Sequence, residues 1–154
     1  MAAPAISHLI GTTGLIVLIF LMPLFYTNVA ENIETDVIKV ELKEIADYTS
    51  NTIENLYFLI NSTTSFDVSL EKELIYLPST VEHLSYSLEI AELENATAYV
   101  VANLKEDPSV QVYSWLIPGL KIAQNQSRIE SSERTVIVGC NRNDTGIYVW
   151  IKYA

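Results

Sequence analysis

LIGTTGLIVLIFLMPLFY, residues 9–26, is an eighteen-residue run with no charged side chain, and the reading of the whole chain turns on it. The run stays uncharged to Ala30, and every acidic or basic residue lies at Glu31 or beyond. Eighteen such residues reach the threshold for a membrane-spanning helix. Ala5–Ala30 would extend roughly 39 Å as a helix, against a hydrocarbon core about 30 Å thick. Pro23 removes one backbone hydrogen bond, which a membrane tolerates where neighbours cover the freed carbonyl. Tyr26 falls where an interfacial aromatic belongs. A cleaved secretory signal would want a basic n-region and a small-x-small site. Met1–His8 has no Lys or Arg, and Asn28-Val29-Ala30 fits cleavage poorly, so a retained anchor is expected. With no basic residue ahead of the run, orientation rests on Glu31, Glu34 and Asp36 and on the size of the C-terminal part: a short N-terminus inside, the domain outside.

The composition excludes several classes of function. Nineteen acidic residues face nine basic ones in 154, a net charge of −10, so a nucleic-acid binder is not expected. Hydrophobic residues reach 49%, high for a uniformly soluble domain. The single cysteine, Cys140, excludes an internal disulfide and a Cys-based zinc site.

Beyond the anchor, Ile38, Leu42, Ile45, Thr49, Ile53, Leu56 and Ile60 recur at spacings of three and four, one stripe of an amphipathic helix. Glu41, Glu44, Asp47 and Glu54 fall on other faces, and Lys43 and Asp47 sit at i,i+4 pairing distance. Neither proline nor glycine interrupts 24–77, so the spanning helix is expected to continue into the amphipathic one. The stripe is expected to cover the chain's own sheet in its distal half, with a neighbouring subunit an equal alternative around Ile33–Ile45. Asn61-Ser62-Thr63-Thr64-Ser65 favours turns and marks the stop.

The period then changes to that of strands. Tyr86–Leu93, Ala96–Leu104, Val110–Ile117, Arg134–Cys140 and Gly146–Tyr153 are rich in β-branched and aromatic residues and are separated by turn-like segments. Phe66–Pro78 is undecided between helix, strand and coil. The fold class expected is α+β: a long N-terminal transmembrane or filament-core helix, then a small antiparallel sheet or sandwich, ordered as a meander. The divisions are 1–30 anchor, 31–60 stalk and 61–154 head. A head of this size is small for a self-sufficient core, so the stalk is expected to complete it.

Several stretches together carry a resemblance. Ala5-Ile6-Ser7-His8-Leu9-Ile10-Gly11-Thr12 leads into the apolar helix, followed by Leu42-Lys43-Glu44-Ile45-Ala46-Asp47-Tyr48 and Asn55-Leu56-Tyr57. Tyr76-Leu77-Pro78-Ser79-Thr80-Val81-Glu82 and Ser85-Tyr86-Ser87-Leu88-Glu89-Ile90 come next. As an architecture the chain resembles the archaeal type IV pilin-like proteins. That resemblance implies a long N-terminal helix packed in a filament core beneath a β-rich head. Filament-forming members usually carry a basic residue before the apolar segment, where a prepilin peptidase cuts; Met1–Ser7 has none. Stator-like accessory proteins of the archaeal motility filament, with one anchor helix and an outward β-domain, are the second resemblance.

Signatures of catalysis are thin. There is no G-x-S-x-G, phosphate loop or dinucleotide fingerprint, so no enzyme, cofactor, metal or small-molecule substrate is expected. His83 reads as a turn residue, Glu71/Glu73 and Glu92/Glu94 as the solvated side of strands, and Cys140 as packing. Trp115 and Trp150 read as core or inter-subunit anchors, undecided. N-x-S/T acceptors occur at Asn61, Asn95, Asn125 and Asn143, where fewer than two would arise by chance from ten Asn and 25 Ser plus Thr. Each lies in or beside an expected turn of the head, suited to glycosylation outside the cell.

The chain therefore reads as a structural subunit of a surface filament, a homo-oligomer built through its helix, with lipid as the other partner. Leu9, Ile10, Gly11, Gly14, Leu15, Leu18, Phe20, Leu21, Pro23 and Phe25 form the assembly surface, the glycines allowing close helix approach. The alternative is a monomeric anchored binding module of a surface machine or surface layer.

Overall fold

A computed structural model of the chain describes residues 3–65, 67–93, 97–123 and 126–154, with the side chains of residues 3–8 excepted. Among the described residues one helix, α1 (Ala3–Ser62), precedes eight strands, an α+β layout. The chain divides into two compact units, one reaching to Val37 and the other Ile38–Ala154.

In the second unit, the part of α1 from Ile38 onward contributes one face of the core. All seven residues of the stripe are buried, Leu42, Thr49, Ile53 and Ile60 completely. A face this regular is what fixes the helix on the sheets. At about 1.5–3 kcal/mol per large apolar side chain, its burial outweighs any single surface pair around it. Ser62 and Thr63 end the helix by turning their hydroxyls back onto Leu59 O and Ile60 O, each at 2.8 Å.

The strands are β1 (Val68–Glu73), β2 (Tyr86–Glu92), β3 (Ala98–Leu104), β4 (Gln111–Trp115), β5 (Leu120–Ile122), β6 (Arg128–Glu130), β7 (Val136–Asn143) and β8 (Gly146–Tyr153). They form two four-stranded sheets, β1-β7-β8-β5 and β4-β3-β2-β6. Two small, mostly antiparallel sheets agree with the α+β class expected, but the strand order is not that of a meander throughout. Consecutive β4 and β5 lie in different sheets, as do β1 and β2, and β5 runs parallel to β8. Period-two alternation marks a strand but carries no information on its partner, so strand order was open to this difference. The short strands β5 and β6 also had no alternation long enough to be seen. Of the undecided stretch, Phe66 lies outside the described residues and Val68–Glu73 forms β1, paired antiparallel with β7.

Alternation builds the core from both sheets. Tyr86, Leu88 and Ile90 of β2 and Ala98, Val100, Ala102 and Leu104 of β3 point inward, with Val136, Val138 and Cys140 of β7 and Val149 and Ile151 of β8. The two sheets meet where Ile151 N donates to Gln126 O (2.7 Å) and Tyr153 Oη binds Glu130. Tyr86, almost wholly buried, donates its hydroxyl to Pro78 O at 2.7 Å.

Two local features are set by backbone chemistry. Val81 and Leu84 close a tight turn whose central residues, Glu82 and His83, both have positive φ (46° and 67°). That is the hairpin geometry usually given to Asn-Gly, so His83 is a turn residue. On the outer face of the first sheet, Gly139 sits directly opposite Trp150. A Cβ at Gly139 would fall within the indole ring, so only glycine lets Trp150 lie flat across β7. Lys152 Nζ then covers that ring at 4.3 Å from its centre. Trp150 is thereby an intrachain anchor, 7% exposed, whereas Trp115 is 59% exposed.

Gly139→Ala is expected to destabilise the head by about 1–3 kcal/mol through overpacking. Gly11→Ala, with open space around the position, is expected to leave the head unaffected. Ile53→Ala is expected to cost about 2–5 kcal/mol. Urea unfolding followed by circular dichroism distinguishes all three.

Candidate functional site

The surface that distinguishes this protein is the first half of α1. Leu9, Ile10, Leu15, Leu18, Phe20, Leu21, Phe25 and Tyr26 are all exposed, Phe20 at 72% and Leu9 at 70%. Helix and residue type agree here: Leu, Ile, Val, Phe and Met dominate, and Pro23 lies inside the helix without ending it. A soluble protein rarely leaves this much contiguous apolar area to water, so the patch marks a membrane or protein interaction. By length and composition the helix can cross a membrane, a criterion that a signal sequence near an N-terminus also meets.

Its few polar side chains satisfy themselves. Thr13 Oγ1 donates to Leu9 O (2.8 Å), Thr27 Oγ1 to Pro23 O (2.8 Å), and Asn28 Nδ2 to Leu24 O (3.0 Å). In an apolar surround an unpaired donor costs several kcal/mol, so bonds one turn back make these residues compatible with lipid or packed helices. Gly11 and Gly14 have no heavy atom within 4 Å of a would-be Cβ, so nothing within the chain calls for their small size. Leu18, Leu21, Met22, Phe25, Tyr26 and Val29 lie together on one open apolar face of the helix. Charge begins abruptly at Glu31, with Glu34 and Asp36 also exposed.

In the head, α1 is held to the edge of the second sheet by polar contacts that the sequence did not disclose. Asp47 Oδ1 accepts from Lys43 Nζ at 2.7 Å, the i,i+4 pair, and from Ser114 Oγ of β4 at 2.6 Å. Ser50 Oγ lies 3.0 Å from Ser114 Oγ, and Lys43 Nζ also donates to Tyr113 O at 2.8 Å. The helix thus bonds to the backbone of β4, the edge strand of its sheet. Burial tends to raise the Asp47 carboxyl. The bonds from Lys43 and Ser114, with the Lys43 charge, outweigh it and hold the carboxyl below its ordinary range. The Lys43–Asp47 pair was legible in the sequence; its extension to Ser50 and Ser114 depends on a helix–strand contact far apart in the chain.

Of the four glycosylation motifs, Asn61 lies in the last turn of α1 and Asn143 ends β7; Asn95 and Asn125 lie outside the described residues. Asn61 and Asn143 face one cleft of about 400 Å³, also lined by Arg142, Asp144, Thr145 and Ile147. Arg142 Nη1 donates to Thr63 O at 3.1 Å across it. The carboxylates that the sequence offers as pairs form no dyad among the described residues. Glu71 pairs with Lys152, Glu73 and Glu92 are exposed, and Glu94 and the His8 side chain lie outside the described residues. Among the described residues no cluster of three or more His, Cys, Asp or Glu could hold a metal. Cys140 is fully buried against Ile53 O, and burial pushes its thiol from 9.0 up to about 12, as packing rather than nucleophilic chemistry requires. No protein-family model, curated protein or solved structure matches the chain.

Stability should depend on pH at both ends of the range. Asp47 has a lowered pKa, so its stabilising contribution is present above its unfolded value of 3.8 and is lost as pH falls through the still lower folded value. Cys140 and Tyr86 are raised, Tyr86 from 10.0 to about 12 by burial and then by Tyr153. Their contribution is complete below the unfolded values and is lost as pH rises through the folded ones. Denaturant midpoints should therefore decline above about pH 9, and less steeply in Cys140→Ala.

Proposed function

We propose that this protein is a structural, pilin-like subunit. Its apolar helix holds it in a membrane and packs it against sister helices in a surface filament, with the head on the outside. One observation carries this reading: a charge-free helical surface from Leu9 to Val29 that is exposed along its length and whose polar side chains bond to their own helix. Such a surface gains roughly 1.5–3 kcal/mol for each large side chain withdrawn from water. Lipid and sister helices both supply that withdrawal, so a subunit can pass from one to the other during assembly. Gly11 and Gly14 allow close helix approach. The N-x-S/T motifs fit a glycosylated, outward-facing head.

The second reading is a monomeric anchored module that grips another surface component. Negative-stain microscopy of sheared cell surfaces, with antibody against the head, separates the two. Labelled filaments are expected. Dispersed membrane monomers bound to one stoichiometric partner would establish the second reading instead. Gly14→Phe is expected to lower filament yield roughly tenfold, about 1.4 kcal/mol of lost contact, while leaving the melting of the head unchanged.

A further inference from the structure

We propose that Asn143 is an N-glycan acceptor of the head and that Asn61, although it carries the same motif, is passed over. The proposal rests on the outward-facing head and adds which site is used.

At Asn143 the acceptor tripeptide is already arranged as a unit. The chain turns between β7 and β8 at Asn143-Asp144-Thr145-Gly146, where Gly146 has φ +146°. Asn143 Oδ1 accepts from Thr145 N at 2.9 Å and from Thr145 Oγ1 at 2.6 Å. Tyr148 Oη lies 3.0 Å from the same Thr145 hydroxyl, and Lys121 Nζ donates to Thr145 O at 2.7 Å. The amide oxygen is thus pinned toward the turn, and the Nδ2 end makes no hydrogen bond among the described residues. Asparagine and hydroxyl lie side by side, and the shared cleft leaves room beside them for sugar.

Asn61 offers the opposite. It lies within α1, where residues i and i+2 do not face each other. Thr63 Oγ1 is committed to Ile60 O at 2.8 Å and Ser62 Oγ to Leu59 O at 2.8 Å. Bringing the Thr63 hydroxyl to the Asn61 amide requires unwinding the last turn, which begins at the fully buried Ile60.

The reaction is a substitution without redox change. Asn143 Nδ2 forms a bond to the anomeric carbon of a lipid-linked sugar, the bond from that carbon to the phosphate oxygen breaks, and the lipid phosphate leaves. The amide proton passes to a base of the transferase.

Glycopeptide mapping and intact mass of the protein isolated from the membranes of the cells that make it test this. Sugar on the Asn143 peptide and none on the Asn61 peptide is expected. Asn143→Gln and Thr145→Val should each lose one glycan from the intact mass, and Thr145→Ser should keep it. Asn61→Gln should change the mass only by the substitution. Sugar on Asn61 with Asn143 bare, or confined to Asn95 or Asn125, overturns the assignment but leaves the outward-facing head standing. A chain bare at all four positions overturns the assignment and removes the glycosylation support for that reading. The mapping needs only the natural protein, so it decides even where a variant fails to fold.

Discussion

The head depends on a helix face that it borrows from the same element that carries the exposed apolar run. Leu42, Ile53 and Ile60 are fully buried, and their partners are the inward residues of both sheets. Without that face, Val100, Val138 and Ile151 would look onto water. A head of this size has little apolar area in excess, so the helix is part of the fold and not a tether attached to it. The consequence is a division of labour along one helix. Its later residues are committed to the head, and its earlier ones, up to Val29, remain uncommitted within the chain.

That division explains where polar chemistry is placed. Along the apolar half, Thr13, Thr27 and Asn28 direct their donors to their own helix. Along the committed half, Lys43, Asp47 and Ser50 reach outward to β4. The first pattern suits a surround with no hydrogen-bonding groups; the second fixes the helix against a strand edge. Exposed ion pairs such as Lys105–Glu130 add little beside either.

Much of this was legible in the sequence because it follows from periodicity and charge. The helix, the seven-residue stripe, the Lys43–Asp47 pair and five of the strands rest on local patterns that the chain states directly. Strand partnership was not legible: nothing in Leu120–Ile122 signals that it runs parallel to β8, since register is set by contacts far apart in sequence. The two tryptophans make the same point. Trp115 and Trp150 sit in similar β-rich runs, and only the Gly139 opposite one of them separates a packed ring from an exposed one. In the site, the apolar residues were readable from composition, whereas the difference between Asn61 and Asn143 needed the conformations of a helix end and a hairpin.

The central claim is that the stretch from Leu9 to Val29 leaves water only in lipid or against other chains. Light scattering coupled to size exclusion of the full-length protein, with and without detergent, tests it most directly. A defined particle is expected only in detergent, with large assemblies or loss from solution when detergent is withdrawn. A stable monomer of 17.3 kDa in plain buffer would contradict it.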